Sequence, residues 1–286
     1  MRALGVSLLL SAVASAPLQS QDMRLATAAR QRGAEPDLSV EVTFGVGRLQ
    51  VKPGPADVLY RARLRYDAES FEPIMRYSPD ARHVRVGIEG LNHRGDLNWR
   101  DRPEQRLDVE LSPTVPTALQ LLYGAGMADV ELGGLSLTGV EIKAGASESV
   151  IRFSEPNRVA CDALTFEVGA INLRTEGLGN ARCRRIELRG AAGDITLDFT
   201  GQWPENSTTT VDVKVGLGSV LLRLPESVGV SLDVDRVLAS FDRSGLRRRG
   251  DRYYSGNYDT ASVKLDFKVQ TAVGSVEIRW VGGSSQ

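Results

Sequence analysis

A chain of 286 residues with 42% hydrophobic residues has enough apolar material to bury a core, which excludes a disordered chain. Its 35 basic and 36 acidic residues give a formal charge of −1, so no overall field favours nucleic acid or an acidic membrane surface. No apolar run is long enough to cross a bilayer, and we predict no transmembrane segment in the mature chain.

The N-terminus has the pattern of an export signal. One arginine follows the initiating methionine, residues 3–14 are mostly apolar, and small residues offer cleavage patterns that end at Ala14 and Ala16. We therefore predict a signal peptide over residues 1–16, followed by a polar, flexible leader over residues 17–36. The mature protein is then expected in the periplasm or outside a bacterial cell.

A pattern of apolar alternation interrupted by glycine repeats along the rest of the chain. In residues 211–224 apolar residues hold period two, slip by one position at Gly216-Leu217-Gly218, and resume period two. A slip keeps the apolar face inward only if the backbone bends there, and glycine permits that bend and a close approach of neighbouring backbones. Six further segments fit this template, always with glycine or alanine at the first slip position. The seven predicted corners are Gly45, Gly124, Gly145, Gly169, Ala191, Gly216 and Ala272.

These units predict an all-β fold, a stacked β-solenoid of strand–glycine corner–strand repeats. The spacing between consecutive copies supports stacking, because four intervals lie between 21 and 25 residues, the length of one coil. The copies concerned begin at Leu119, Val140, Leu164, Ile186 and Val211. Unrelated hairpins in an ordinary sandwich are the alternative. We predict one continuous domain, with an N-terminal β region over residues 37–116 and a repeated region over residues 117–286.

Two insertions interrupt the repeats. The first contains strand-like runs at residues 58–66, 83–89 and 107–111, separated by turn-rich stretches such as residues 91–96. The second contains a strand-like run at residues 228–234 and a basic turn at residues 244–250. Hardly any segment shows helical periodicity.

The two cysteines offer a check on the repeat register. Cys161 and Cys183 each lie three residues before the first apolar position of consecutive copies. Equivalent positions in stacked coils are about 4.8 Å apart, within the range of about 4.4–6.8 Å that a disulfide needs between Cα atoms. We predict a disulfide, with two stacked reduced cysteines as the alternative. A metal site is not predicted, because the only histidines, His83 and His93, lie far away in sequence.

Several glycine-and-apolar segments along the chain carry a family resemblance. They are residues 44–47, 107–116, 123–126, 132–137, 177–181, 197–201, 216–220 and 254–258. These segments resemble the toast-rack domain, which LiaF-type cell-wall-active-antibiotic-response proteins share with adhesin-like bacterial proteins. The resemblance spans about residues 37–283 and implies a stacked β fold on the envelope side of the cell, with no established catalytic residues to carry over to this sequence. LiaF-type members modulate envelope-stress signalling and usually carry N-terminal transmembrane helices, where this chain has a cleavable signal.

The carboxylates on the outer strand faces form no convincing catalytic set. Asp194 and Asp198 lie four apart on one strand and are interpreted as solvated outer-face residues. Other outward carboxylates could form an acidic ladder for a divalent cation, but cationic neighbours favour a mixed, solvated face. These carboxylates are Glu41, Glu141, Glu187 and Asp212, and the cations are Lys143, Arg189 and Lys214.

The best surface-binding candidate is an arginine–tyrosine cluster in the second insertion. Guanidinium forks and ring stacking could bind polysaccharide or anionic lipid there, while a merely solubilising turn is the alternative. The cluster comprises Arg247, Arg248, Arg249, Arg252, Tyr254 and Tyr258.

The sequence thus predicts a non-catalytic, exported envelope scaffold that binds an unknown envelope protein or itself. The ends of a solenoid expose unpaired strands, which favour both the addition of a partner strand and self-assembly. An accessory modulator of envelope-stress signalling, implied by the resemblance, and a polysaccharide- or anionic-lipid-binding module are the alternatives. No enzymatic activity, cofactor or nucleic-acid partner is predicted.

Overall fold

The computed structural model describes residues 22–91 and 105–282. The predicted signal peptide, residues 1–16, lies outside the described residues, as does His93. Within them the chain forms fifteen strands and one four-residue helix. The elements are β1 (Met23–Gln31), β2 (Leu38–Pro53), β3 (Val58–Asp67), β4 (Phe71–Ser78), β5 (His83–Gly90), β6 (Arg106–Leu111), β7 (Thr117–Glu131), β8 (Leu137–Arg152), β9 (Cys161–Glu176), α1 (Leu178–Ala181), β10 (Cys183–Asp198), β11 (Thr208–Pro225), β12 (Gly229–Phe241), β13 (Leu246–Arg249), β14 (Arg252–Ser255) and β15 (Lys264–Val281).

Eight long strands form a parallel stack in the middle of a single sheet. Their order is β2, β7, β8, β9, β10, β11, β15 and β12, so equivalent positions of the repeat lie side by side. Val211 of β11, for example, is opposite Ile186 of β10 and Phe267 of β15. The predicted all-β fold of stacked strand–corner–strand repeats is confirmed.

The structure adds an eighth repeat to the seven predicted ones. Strand β12 runs parallel to β15, with Leu232 opposite Phe267 and Leu238 opposite Val273. Only residues 228–234 of this repeat were predicted as strand-like. Although β15 is the last strand in the chain, it lies between β11 and β12, so that β12 is the outermost parallel strand of the stack.

Both arms of each bent strand face one apolar interior. Val213 and Val215 before the bend of β11, and Val220 and Leu222 after it, are at most 3% exposed. Burying each such side chain contributes about 1.5–3 kcal/mol, which explains why period-two alternation specifies these strands. The loops between strands close the remaining side of the interior with Leu132, Leu135, Phe153, Leu178 and Phe199.

The predicted corners form a column of small residues where neighbouring backbones approach closely, here called the corner column. A Cβ atom on Gly124 would lie 2.3 Å from the Gly45 carbonyl oxygen. The unusual backbone conformation, however, lies two positions later, as at Gly126 (φ +120°) and Gly218 (φ +132°). Close backbone approach thus occurs at the first slip position, and the positive φ that favours glycine occurs at the third.

The two ends of the stack are finished differently. At the N-terminal end, β5 pairs with the first arm of β2 and β6 with its second arm, and together they form a divided repeat. Antiparallel strands then cover it, β4 on β5 and β3 with β1 on β6. The strand-like runs predicted at residues 58–66, 83–89 and 107–111 are confirmed as β3, β5 and β6.

The predicted flexible leader is wrong for residues 23–31, which form the edge strand β1. Its backbone pairs antiparallel with β3, and the small side chains of Ala26 and Ala28 are half-buried against the core. Alanine buries little apolar area, so the alternation that identifies a strand is weak in this segment.

A disulfide joins two neighbouring repeats. Cys161 begins β9 and Cys183 begins β10, and the two residues are directly opposite each other with their Cα atoms 4.2 Å apart. Their sulfur atoms are bonded and both residues are buried. The bridge predicted from the repeat register is present in the structure.

Candidate functional site

The outward side chains of the first arms form a mixed ladder of charges. Lys143 lies 2.8 Å from Glu141 and 3.5 Å from Glu167, and Arg189 lies 3.5 Å from Glu187. The hydrogen bond to Lys143 lowers the pKa of Glu141. These ion pairs give the outer face both signs of charge, and it is not an acidic row. Within the described ranges no three His, Cys, Asp or Glu side chains are grouped to hold a metal ion.

The two aspartates of β10 have different environments. Asp194 is exposed and accepts a hydrogen bond from Ser219. Asp198 is only 5% exposed, and its carboxylate binds Arg223 at 2.7 Å and the backbone N–H of Thr200 at 2.9 Å. The interpretation of Asp198 as a solvated residue was wrong, because the strand register places Arg223 opposite it. Asp198 therefore fixes the start of a loop.

The arginine–tyrosine cluster, except for Tyr258, lies on a hairpin beside the first arm of β12. Part of the predicted basic turn is the strand β13, paired antiparallel with β14. The Arg249 guanidinium stacks 4.2 Å from the centre of the Tyr254 ring and binds Asp259 at 3.0 Å. Arg252 donates a 3.4 Å hydrogen bond to the Phe267 carbonyl. These two arginines hold the hairpin together and onto the stack.

The remaining members of the cluster do not converge on one point. Tyr258 donates to Asp266 at 2.8 Å, and burial together with this bond raises the pKa of Tyr258 to about 12. Arg247 and Arg248 are consecutive on β13, and successive side chains of a strand point to opposite faces. The structure thus brings five of the six predicted residues onto one hairpin, with Tyr258 just after it, and does not form a joint anion clamp.

The outer edge of β12 is open over most of its length. Strand β14 pairs with it only at Ser231 and Leu232, and no other strand of the described residues lies on that side. Arg236 donates to the Ala239 carbonyl at 2.9 Å, so one main-chain acceptor in this segment is already occupied. Unpaired strand edges accept added strands unless something covers them.

An apolar row of outward side chains leads to this open edge. One residue lies outward at the middle of each corner, and it is apolar in all eight repeats. We call these residues the outer row, and they are Val46, Ala125, Ala146, Ala170, Ala192, Leu217, Val273 and Leu238. The side chains of this row are small in the middle of the stack and large at its C-terminal end. There the side chains of Leu217 and Leu238 are 54% and 75% exposed. Val237, beside Leu238, is 78% exposed.

Shallow grooves follow the corner column on the outside of the stack. One, of 510 Å³, is lined by residues of β10, β11, β15 and β12, among them Ala191, Gly216 and Val237. Another, of 470 Å³, lies over Gly45, Gly124 and their neighbours. Neither groove is lined by a histidine or a cysteine among the described residues.

Two family models account for nearly all of the chain. The N-terminal domain of toast-rack proteins matches residues 19–174, and the C-terminal part of LiaF, named for the response to cell wall-active antibiotics, matches residues 175–278. Since the first covers more than half of the chain, this protein belongs to the toast-rack family. Its second half is LiaF-like, which relates the protein to the bacterial cell envelope, and neither family is described by a catalytic activity.

Solved structures of low sequence identity resemble the fold. A proposed cell adhesion protein from Clostridium sporogenes is 15% identical, covering 91% of this chain and 100% of that chain, with a TM-score of 0.48. A proposed adhesin from Bacteroides fragilis is 11% identical, covering 90% and 97%, with a TM-score of 0.43. A search of curated proteins found no match. No helix among the described residues is long and apolar enough to cross a membrane.

Proposed function

We propose that this protein is a non-catalytic scaffold, exported to the bacterial envelope, that binds an extended strand of another protein at the open edge of β12. The observation that carries this proposal is the coincidence of an unpaired edge with exposed Val237 and Leu238. In strand addition, main-chain hydrogen bonds give affinity and neighbouring side chains give specificity. A partner strand with small apolar side chains would cover both residues.

The difference between the ends of the stack favours another protein over continued stacking of copies. Head-to-tail stacking would need an open repeat at both ends, but β4, β3 and β1 cover the N-terminal one. The C-terminal end therefore meets no matching parallel repeat on a second copy, because the outermost strands at the other end, β1 and β4, are paired antiparallel. A partner strand would replace Arg236 at the Ala239 carbonyl.

A charge placed at the open edge should abolish this binding. We expect Leu238→Lys to lower recovery of crosslinked partner from envelope fractions about tenfold or more, because the substitution replaces apolar contact with a charge that must be desolvated. Ala170→Lys is the matched control, since Ala170 is exposed in the same outer row but its strand is paired on both sides.

Equal recovery with both variants would contradict the proposal. Light scattering on the purified protein distinguishes a second copy from a different partner. Concentration-dependent dimers that Leu238→Lys abolishes would show that the edge binds another copy of this chain, and would refute the proposed partner.

The LiaF-like second half supports a second candidate function, an accessory role in envelope-stress signalling. The candidate predicts that the captured protein is a component of a signalling system. Capture of a structural envelope protein alone would speak against it.

A further inference from the structure

A cluster of positive charge lies on three strands, β2, β3 and β6, at the N-terminal end of the stack. Their outward positions on the second-arm face carry six cations and two carboxylates, Asp108 and Glu110, a local balance of 6 − 2 = +4. We call this surface the arginine face, and its cations are Arg48, Lys52, Arg61, Arg63, Arg65 and Arg106. The whole-chain charge of −1 conceals this local excess.

Strand pairing sets three of these arginines in one row. Arg65 of β3 is opposite Arg106 of β6, and Arg106 is opposite Arg48 of β2. Neighbouring strands are about 4.8 Å apart, and like charges directly opposite one another destabilise a sheet. The row therefore concentrates cations that an anionic surface lying over it would attract.

Acidic neighbours neutralise only part of this face. Glu110 binds Lys52 at 3.3 Å and Arg61 at 2.8 Å, and Asp108 binds Arg106 at 3.0 Å. Within the described ranges Arg63 and Arg65 have no ion pair or hydrogen bond through their side chains, and both are exposed. Their guanidinium groups are therefore available to anionic oxygens, which they can grip with two parallel hydrogen bonds.

Two exposed apolar side chains border the same row. Leu25 of β1 is opposite Arg65 and is 64% exposed, and Met127 of β7 is opposite Arg48 and is 40% exposed. Across five adjacent strands, the row therefore consists of three arginines with one exposed apolar side chain on either side of them. Cations flanked by exposed apolar side chains on one face match a membrane interface, where anionic headgroups lie over hydrocarbon. Each Lys or Arg close to such a surface adds its own electrostatic attraction to the headgroups.

We propose that the arginine face docks this protein onto a membrane surface through anionic phospholipid headgroups, with Leu25 and Met127 entering the headgroup region. The face lies at the opposite end of the stack from the open edge of β12. A protein docked in this way keeps the partner edge free, so membrane docking goes beyond the proposed partner binding and does not depend on it.

Vesicle co-sedimentation tests this docking directly. The probes are vesicles of phosphatidylcholine alone and of phosphatidylcholine mixed with phosphatidylglycerol, at about 0.1 M and about 0.5 M salt. We expect the protein to bind only the mixed vesicles and to be released at the higher salt. Reversing both charges in Arg63→Glu with Arg65→Glu should weaken binding at least roughly thirtyfold.

The control variant is Arg247→Glu with Arg248→Glu, which makes the same charge change on β13 at the other end of the stack. It should bind mixed vesicles like the parent, as should Leu238→Lys, which separates this proposal from partner binding. Equal sedimentation of the parent with both kinds of vesicle would overturn the proposal. So would loss of binding in the β13 variant with retention in the variant of Arg63 and Arg65.

Discussion

Gly218→Ala should destabilise the protein by about 4 kcal/mol or more, the largest single effect we expect. A Cβ atom at this position would lie 1.9 Å from the carbonyl oxygen of Gly193 in the neighbouring repeat. Gly218 also has a φ of +132°, which L-residues with a side chain rarely adopt. Because the obstacle is the backbone of a stacked strand, no side-chain rotation can relieve it. Urea unfolding followed by circular dichroism measures the change.

Gly45→Ala is the matched control for this substitution. Gly45 stands at the first corner of the stack, where an added Cβ atom meets no atom within 4 Å. We expect its unfolding free energy to stay within about 1 kcal/mol of the parent, because only backbone entropy changes. Similar destabilisation by both substitutions would show that close stacking is not what requires glycine at position 218.

Removing the disulfide should cost about 3 kcal/mol. Cys161 and Cys183 are 22 residues apart in sequence, and closing a loop of this size restricts the unfolded chain by about that amount. The double variant Cys161→Ala with Cys183→Ala should therefore unfold at lower denaturant concentration than the oxidised parent. Reductant should shift the parent toward the variant and leave the variant unchanged.

The oxidation state can be measured independently of stability. Thiol titration of the denatured, unreduced protein should find no free thiols. Two titratable thiols in protein recovered from the envelope would contradict the bridge, and with it the expectation of an oxidising compartment.

The repeating core could be predicted because its signal is local in sequence. Alternating apolar residues on both sides of a small corner residue identified seven of the eight repeats, and the spacing of Cys161 and Cys183 identified their register. The eighth repeat, β12, was only partly predicted, because Val237 and Ala239 stand at its corner. The other repeats were identified by a glycine or alanine at the first slip position, and β12 has Val237 at that position.

The surfaces could not be predicted, because they depend on which strands become neighbours. Arg48, Arg65 and Arg106 are far apart in sequence, and the antiparallel return of β3 onto β6 brings them into one row. Burial of Asp198 has the same origin, since its partner Arg223 belongs to the next repeat. The run of consecutive arginines led to the prediction of a binding cluster, but successive side chains of a strand such as β13 point to opposite faces, which separates Arg247 from Arg248.

The most direct test of the central claim, that a partner strand adds to the open edge of β12, is site-specific photo-crosslinking in intact cells. A photoreactive side chain is placed at Leu238 in one strain and at Ala146 in another. Both residues are exposed in the outer row, but Ala146 lies on β8, which is paired on both sides. The account predicts a discrete adduct with another protein at position 238 and none at position 146. Adducts at both positions, or at neither, would contradict it.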